Sequence, residues 1–449
     1  MQLSLPLIQS TERSKLRDKA TFSDPNFASN KLLPVHRWVP WIAGFSSDFV
    51  RNILSENKLP ESGTVLDPFA GVGTTLFEAA LAGYNVIGFE INPYAALACR
   101  IKVNIHQLNS KTIRSEIAKL EEFYHSKISS NDLPKSEPPV GFKTRKTFYS
   151  PKVLRKVLIV RDFIEQLNDR RIQEVFKLAF ASTMIYYSNY SYEPSLGTRS
   201  AAGKNDIEDF PVIEAISEKL KIIVADIDWA ANRLTTVSNS RIIKTSFFDC
   251  QKYVETASVD LVITSPPYLN NYHYIRNTRP HLYWLGFAQN PKETKKLEHQ
   301  NFGKYWQTVR DLETVDLKFP NPPVELVEQI NNLRKLNPDR GIYGGKGWAN
   351  YAASYFNDCY QLAKSLKYVL KPGASAFIVV GNSILQGVMI PTDRYLGQIA
   401  RSVGLELVDI SIPRSTRVGN SIIQSDIRVA KAKKSHQLYE AVVELKKRG

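Results

Sequence analysis

Cysteine is scarce in this 449-residue chain: Cys99, Cys250 and Cys359 stand far apart and in no paired spacing. That argues against a disulfide framework and against a cysteine-rich zinc site, and it suits a reducing, cytoplasmic compartment. No run of about eighteen apolar residues occurs, so a membrane-spanning helix is not expected. The opening MQLSLPLIQSTERSK carries an apolar stretch too short and wrongly ordered for a secretory signal. Internal repeats, long low-complexity tracts and an acidic-acidic-lysine nuclease constellation are absent too. The expectation is an enzyme without membrane association and without a metal.

Acidic residues are also in deficit, 44 against 59 basic, for a formal net charge of +15. Such an excess gathers polyanions and steers them diffusively. It is concentrated in residues 141–180 and 428–449. Charge alone does not separate a nucleic-acid ligand from a merely well-solvated basic surface.

What is present is a broken β–α alternation. TVLDPF (64–69), a helix over 71–83 ending at Gly83, NVIGFEI (85–91) and a helix opening at Pro93 read as buried strand, helix, strand and helix. The rhythm stops between about 105 and 238, where 150–167 and 171–192 have helical periodicity. It resumes with RIIKTSFFD (241–249) and VDLVITSPPY (259–268). Residues 288–349 form a second interruption, with a helix at PVELVEQINNLRKL and the glycine-rich GIYGGKGW. A helix from Tyr351, the strands SAFIVVGNS and LELVDISI with a helix between them, and a last strand IRVAKAK complete the pattern.

These elements predict one doubly wound, Rossmann-like α/β sheet, mostly parallel with an antiparallel last strand, carrying helical and loop-rich insertions. The expected divisions are 25–105 for the first half of the core, 106–238 for a mainly helical insertion, and 239–287 for the second part. A second insertion spans 288–349, the rest of the core 350–435, and a basic tail 436–449.

Asp67-Pro68-Phe69-Ala70-Gly71-Val72-Gly73-Thr74-Thr75 sits where a strand hands over to a helix. Gly71 and Gly73 permit a tight turn and close backbone approach by a ligand, and Thr74 or Thr75 can cap the helix. Glu90 stands at the end of the next strand, where a carboxylate can accept both hydroxyls of a ribose. Leu76 replaces the third glycine of the dinucleotide pattern and no Gly-Lys-Ser/Thr follows. The loop therefore suits an adenosine ligand bearing a carboxylate better than a pyrophosphate.

Thr264-Ser265-Pro266-Pro267-Tyr268 ends a buried strand. Read blandly, two prolines make a rigid strand exit. Flanked by Ser265 and Tyr268 they also suit methylation of a nucleobase amine, whose lone pair is delocalised into the ring. The Ser265 oxygen and the Pro266 carbonyl can accept the amine N–H groups and restore a tetrahedral nitrogen, while Tyr268 offers a face for an extruded base. None of the cysteines follows a proline, which speaks against carbon-5 methylation through a cysteine nucleophile.

DPFAGVGTT, VIGFEIN and TSPPY, in that order, resemble the amino-group DNA methyltransferases, with their DPFxGxGTT cofactor motif and (D/N/S)PPY catalytic motif. The resemblance covers roughly 30–105 and 240–430. It implies S-adenosyl-L-methionine as cofactor, held by Asp67 to Ala70, Gly71, Gly73, Thr74, Thr75, Glu90, Ile91 and Asn92, with Asp249 near the adenine. Ser265, Pro266, Pro267 and Tyr268 take the catalytic role. HRWVPWIAGFSSDF resembles the segment that closes over the methionine moiety. A serine at the first tetrad position goes mostly with cytosine-N4 and favours that target over adenine-N6. LNNYHYIRNTRPHLYWLG resembles a subset with Tyr-x-Arg and Trp-Leu-Gly downstream, making Arg276 a candidate nucleic-acid contact. Arg199 and Lys204 in the first insertion and Lys346 in the second join it, the second insertion being expected to read bases. The expected partners are DNA and a cognate restriction endonuclease. An adenine-N6 enzyme, an RNA amino-group methyltransferase, and a non-catalytic DNA-binding subunit with a relic fold stay open as alternatives.

Overall fold

The computed structural model describes residues 30–41, 46–192, 195–234, 239–269, 272–416 and 438–449. After a short 3-10 turn at His36–Trp38 come helix α1 (Ser47–Glu56), strand β1 (Thr64–Asp67), helix α2 (Thr74–Leu81), strand β2 (Asn85–Phe89) and helix α3 (Pro93–Val103). The starts are written locally. The Ser46 hydroxyl accepts the Phe49 N–H at 3.1 Å to cap α1, and Asn92 Oδ1 accepts the Tyr94 N–H at 3.1 Å ahead of α3. Helices α4 (Ser110–Ser129), α5 (Pro151–Gln166) and α6 (Arg170–Thr183), the hairpin β3 (Tyr190–Tyr192) and β4 (Leu196–Thr198), and α7 (Val212–Ala231) form the first interruption.

The alternation resumes with β5 (Ser240–Ile243) and β6 (Val259–Thr264). Helices α8 (Tyr274–Trp284), α9 (Pro291–Gln300), α10 (Trp306–Val309) and α11 (Val324–Arg334) precede the long α12 (Gly345–Val369). The chain closes with β7 (Leu370–Gly381), the hairpin β8 (Ser383–Leu385) and β9 (Val388–Ile390), α13 (Thr392–Ser402), β10 (Leu405–Thr416) and β11 (Leu438–Lys447).

Seven strands make the main sheet, in the order β10-β11-β7-β6-β1-β2-β5. From β7 to β5 neighbours pair in parallel; β11 is antiparallel to both β7 and β10. This is a doubly wound, Rossmann-like sheet with an antiparallel last strand. The period-2 geometry of its strands sorts the side chains. Val65, Leu261, Ile263, Phe377 and Val379 pack with α1 and α2, while Leu66, Val262, Ala376, Ile378 and Val380 pack with α12 and α13. Both faces are covered, which is why these strands are apolar throughout. Among the described residues no helix is long and apolar enough to cross a membrane.

A third apolar cluster joins α4–α7 to α3 and α8. Its polar keystone is Asp226 on α7, only 1% exposed. Its Oδ2 accepts the Val35 N–H at 2.8 Å, the Trp38 indole N–H at 2.9 Å and the Arg37 Nε–H at 3.1 Å, with Arg37 Nη2 on the other oxygen. The segment ahead of α1 is thereby fastened to the insertion.

Several elements differ from the sequence expectation. The helix expected over 171–192 ends at Thr183, whose hydroxyl bonds back to the Ala179 and Phe180 carbonyls, and Tyr190–Tyr192 turns into a strand. The strand expected over 241–249 stops at Ile243, because Phe247–Lys252 coils into a 3-10 turn capped by Ser246. Helix α12 starts at Gly345, ahead of the expected Tyr351. There the glycines serve packing: a Cβ on Gly345 would lie 1.8 Å from the Leu333 carbonyl oxygen, and one on Gly347 2.2 Å from that of Ile342. The supposed basic tail holds β11, hydrogen-bonded on both sides. The strand expected at IRVAKAK lies outside the described residues.

Candidate active site

Strands β1 and β6 are parallel neighbours, so their carboxyl ends reach the same edge of the sheet. The winding of the sheet reverses between them, and the crevice at such a reversal is where open α/β sheets bind ligands. Two side-chain bonds stitch the corners together. Thr264 Oγ1 donates to Asp67 Oδ1 at 2.6 Å, and Thr75 Oγ1 donates to the Ile263 carbonyl at 3.3 Å. Asp67, 1% exposed, also accepts the Phe69 N–H at 3.0 Å. Burial outweighs these bonds and pushes its carboxyl up to about 6.

The turn that follows depends on its glycines. Gly71 and Gly73 have φ of 51° and 87°, a region that disfavours side chains, and a Cβ on Gly73 would meet Cys99 Sγ at 2.8 Å. This lets α2 begin directly under the loop. Glu90, at the tip of β2, accepts the Gly71 N–H at 2.8 Å on one carboxylate oxygen and the Asn92 N–H at 2.7 Å on the other. Burial, opposed by these two bonds, raises its carboxyl to about 7.

Between the two corners lies a cleft with about 680 Å³ of atom-free space, its open mouth included. Glu90 and Gly71 border it from one side and Ser265 and Pro267 from the other, with Phe69, Phe247 and Phe302 as apolar walls. Phe302 stands edge-on to Phe69 at 5.1 Å, and Phe247 edge-on to Phe89 at 5.2 Å. Trp41 and Tyr274 stack at 6.0 Å and 23° across another side.

The predicted residues divide into groups. Pro68, Phe69, Gly71, Glu90, Ile91, Asn92, Ser265 and Pro267 border the cleft. Asp67, Ala70, Gly73, Thr74 and Thr75 do not; they hold its floor from buried positions in the turn and the first turn of α2. Pro266 is buried in the corner. Tyr268 does not border the cleft: its ring rests on Gly381, where a Cβ would come within 2.8 Å of Cδ2, and its hydroxyl donates to Glu440 Oε1 at 3.1 Å. Asp249 does not border the cleft: half-buried in the 3-10 turn, its carboxylate pairs with Lys252 at 2.6 Å and accepts the Thr245 hydroxyl at 3.5 Å, behind the wall made by Thr245, Ser246 and Phe247.

The candidate nucleic-acid contacts are scattered. Arg199 is half-buried with its Nε–H on the Asn205 carbonyl at 2.7 Å, while Lys204, Arg276 and Lys346 are exposed. None of the four borders the cleft. Asn382 and Ser383, just after β7, serve the fold: Asn382 Oδ1 accepts the Tyr439 N–H at 2.8 Å, and Ser383 donates to the Leu269 carbonyl.

Trp41, Tyr274 and Phe302 are the principal wall residues that no motif named individually. Their segments carried a signal, as the aromatic entry before the cofactor loop, the Tyr-x-Arg of Tyr274-Ile275-Arg276, and the HQNFGKYW run. The last lies in the insertion expected to read bases, and its Gln300, Asn301 and Phe302 border the cleft.

The residues present fit S-adenosylmethionine. Glu90 is a half-buried carboxylate facing an apolar cleft, with two of its roughly four acceptor sites used by backbone N–H groups and capacity left for a diol. Flat apolar walls beside it suit a purine ring. A Rossmann-like sheet with this cleft at its switch point is the architecture of a protein that binds a nucleoside-bearing cofactor.

A family described as DNA methylase, the N6/N4 methyltransferases, matches residues 21–99. The chain is 26% identical over 435 residues to Type II methyltransferase M.BsoBI of Geobacillus stearothermophilus, covering 88% of this chain and 83% of that one. It is 25% identical over 439 residues to Type II methyltransferase M.AvaI of Anabaena variabilis, covering 91% and 87%. Type II methyltransferase M.MvaI of Kocuria varians is 24% identical over 364 residues, covering 77% and 76%. Over most of its length the chain is thus similar to Type II DNA methyltransferases, and its first part matches the amino-group DNA methylase family, with the cofactor motif ahead of the Ser-Pro-Pro-Tyr motif.

Proposed function

We propose that this protein methylates the exocyclic amine of an extruded DNA base, with cytosine-N4 as the target, as the modifying partner of a restriction endonuclease. The observation that carries the reading is the Thr264–Asp67 hydrogen bond, which brings the cofactor turn and the Ser-Pro-Pro-Tyr corner to one cleft. When bound, S-adenosylmethionine supplies an electrophilic sulfonium methyl, the electron pair of the broken C–S bond staying on sulfur. Glu90 would hold the ribose hydroxyls, and Phe247 and Phe69 would flank the adenine.

The chain's own task is to make the amine nucleophilic. Ser265 Oγ and the Pro266 carbonyl accept its N–H groups and draw the lone pair out of ring conjugation. The two prolines fix both acceptors, so orientation costs little at the moment of reaction. The surplus proton of the methylated nitrogen leaves through the Ser265 oxygen to water. Tyr268, anchored by Glu440 and seated on Gly381, braces the corner from behind and so keeps the Ser265 and Pro266 acceptors in place. Cytosine is favoured by serine at the first tetrad position.

The test incubates the protein with genomic DNA and labelled cofactor, digests to nucleosides and identifies the labelled one by mass. N4-methyldeoxycytidine is expected. N6-methyldeoxyadenosine would reassign the base, and label in RNA with none in DNA would overturn the substrate.

A further inference from the structure

We propose that a second cavity beside the cofactor cleft takes an unstacked nucleobase other than the one methylated. This rests on the DNA-modifying reading above. The cavity holds about 870 Å³ of atom-free space, its mouth included, and is walled by Trp41, Tyr94, Tyr186, Tyr192, Tyr272 and Tyr274. Trp41 and Tyr274 line both spaces, so their stacked pair is the partition between them. The first insertion supplies Tyr186 and Tyr192; the segment after the catalytic corner supplies Tyr272 and Tyr274.

The lining states what kind of guest it fits. Tyr94 stacks on His281 at 4.3 Å and 19°. They are 2% and 4% exposed, and the Tyr94 hydroxyl has no hydrogen-bond partner among the described residues. The Tyr272 hydroxyl is buried and unpartnered in the same way. Unpaired buried polar atoms are costly, so the guest must carry hydrogen-bonding groups as well as flat apolar faces. A nucleobase has both. An aliphatic chain would leave the hydroxyls unpaired. A phosphate would find no cation inside, since the only lysine in the lining, Lys31, is exposed at the rim, where it suits the backbone of the same nucleotide.

The methylated base itself is a poor occupant. No residue of the Ser265–Tyr268 corner borders this cavity, and Tyr268 lies against Gly381 on the β7 side. The guest is then a flanking base of the same strand or the displaced partner on the opposite strand. Both present the same chemistry, a planar heterocycle with a polar edge.

Tyr186 is the residue to test, being 50% exposed and outside the packed core. The full chain, without cofactor, is irradiated with sheared genomic DNA, duplex or heat-denatured, and crosslinked peptides are identified by mass. Adducts on Tyr186 or Tyr192 are expected. Adducts in both DNA forms assign a flanking base, and adducts in duplex alone assign the opposite strand. Tyr186→Ala should weaken DNA binding at least about fivefold with cofactor affinity unchanged, and Tyr186→Phe should restore it. Adducts confined to Tyr268 with unaltered DNA affinity in Tyr186→Ala would overturn the proposal. So would a loss of cofactor affinity in that variant, which would give the cavity to the cofactor. These are binding readouts, so a protein that forms the adducts but methylates no DNA would fail the functional reading alone.

Discussion

In the proposed reading Glu90 accepts two ribose hydroxyls, and only its ionised form is an acceptor at both oxygens. Burial holds its carboxyl at about 7, and that of Asp67 at about 6. The folded chain therefore grips both protons more tightly than the unfolded chain, whose carboxyls titrate near ~4. Their contribution to stability is fully present below about pH 4 and is lost as pH rises through about 6 to 7. Cofactor binding runs the other way. Affinity should rise about tenfold between pH 6 and pH 8 as Glu90 ionises, and in Glu90→Gln it should be weaker and nearly flat with pH. Calorimetric titration at the two pH values measures both. Thr264→Val probes the neighbouring bond: a buried carboxylate loses a donor, costing about 1–3 kcal/mol in thermal or denaturant unfolding. Cofactor affinity should fall with it, because the turn that carries Gly71 loses its tie to β6.

The element that most changes the site is β11. Being antiparallel, it brings its first residues to the carboxyl edge of the sheet, where Tyr439 Oη donates to Asp393 at 2.8 Å and Glu440 receives the Tyr268 hydroxyl. Tyr268→Ala should keep cofactor affinity, since the ring does not border the cleft, and lose most turnover. Glu440→Gln should do the same more mildly, about tenfold in kcat, because the ring keeps its seat on Gly381. Single-turnover rates beside cofactor titration separate the two quantities. This strand also shows where the sequence stopped being legible. VDLVITSPPY and TVLDPF are apolar runs ending in special turns, and periodicity finds them. Residues 438–447 read LYEAVVELKK inside the net-positive stretch 428–449, so the flanking charge masked a strand whose amide groups are satisfied on both sides. Likewise SFFD after β5 has strand composition, but the Ser246 cap coils it into a 3-10 turn and leaves Asp249 behind the cleft wall, against Thr245. The motif residues were legible because chemistry constrains their type. Trp41, Tyr274 and Phe302 were not, because any large flat side chain makes a wall and only the packing of distant elements says which one does.

At the scale of the whole molecule, the first insertion holds the active site's entrance, although it sits far from the catalytic corner in sequence. Asp226 reaches from α7 to the backbone of Val35, the indole of Trp38 and the guanidinium of Arg37, fixing the strip that ends in Trp41. Trp41 then lies over the cofactor turn, where a Cβ on Gly71 would find the indole nitrogen at 3.5 Å. Removing the carboxylate leaves a buried N–H, a buried indole N–H and an arginine without their acceptor, a loss of about 3–5 kcal/mol. Asp226→Ala should therefore lower the unfolding midpoint sharply. In the fraction that stays folded, cofactor binding should weaken because the lid over the turn is no longer fixed, while Glu90 and Ser265 keep their places on the sheet. Asp226→Asn keeps one acceptor oxygen for the N–H groups but gives up the charge facing Arg37. It should recover most of the stability, and cofactor affinity should recover in step. If the two variants lost stability alike but only one lost cofactor affinity, the entrance would be held by something other than this clamp.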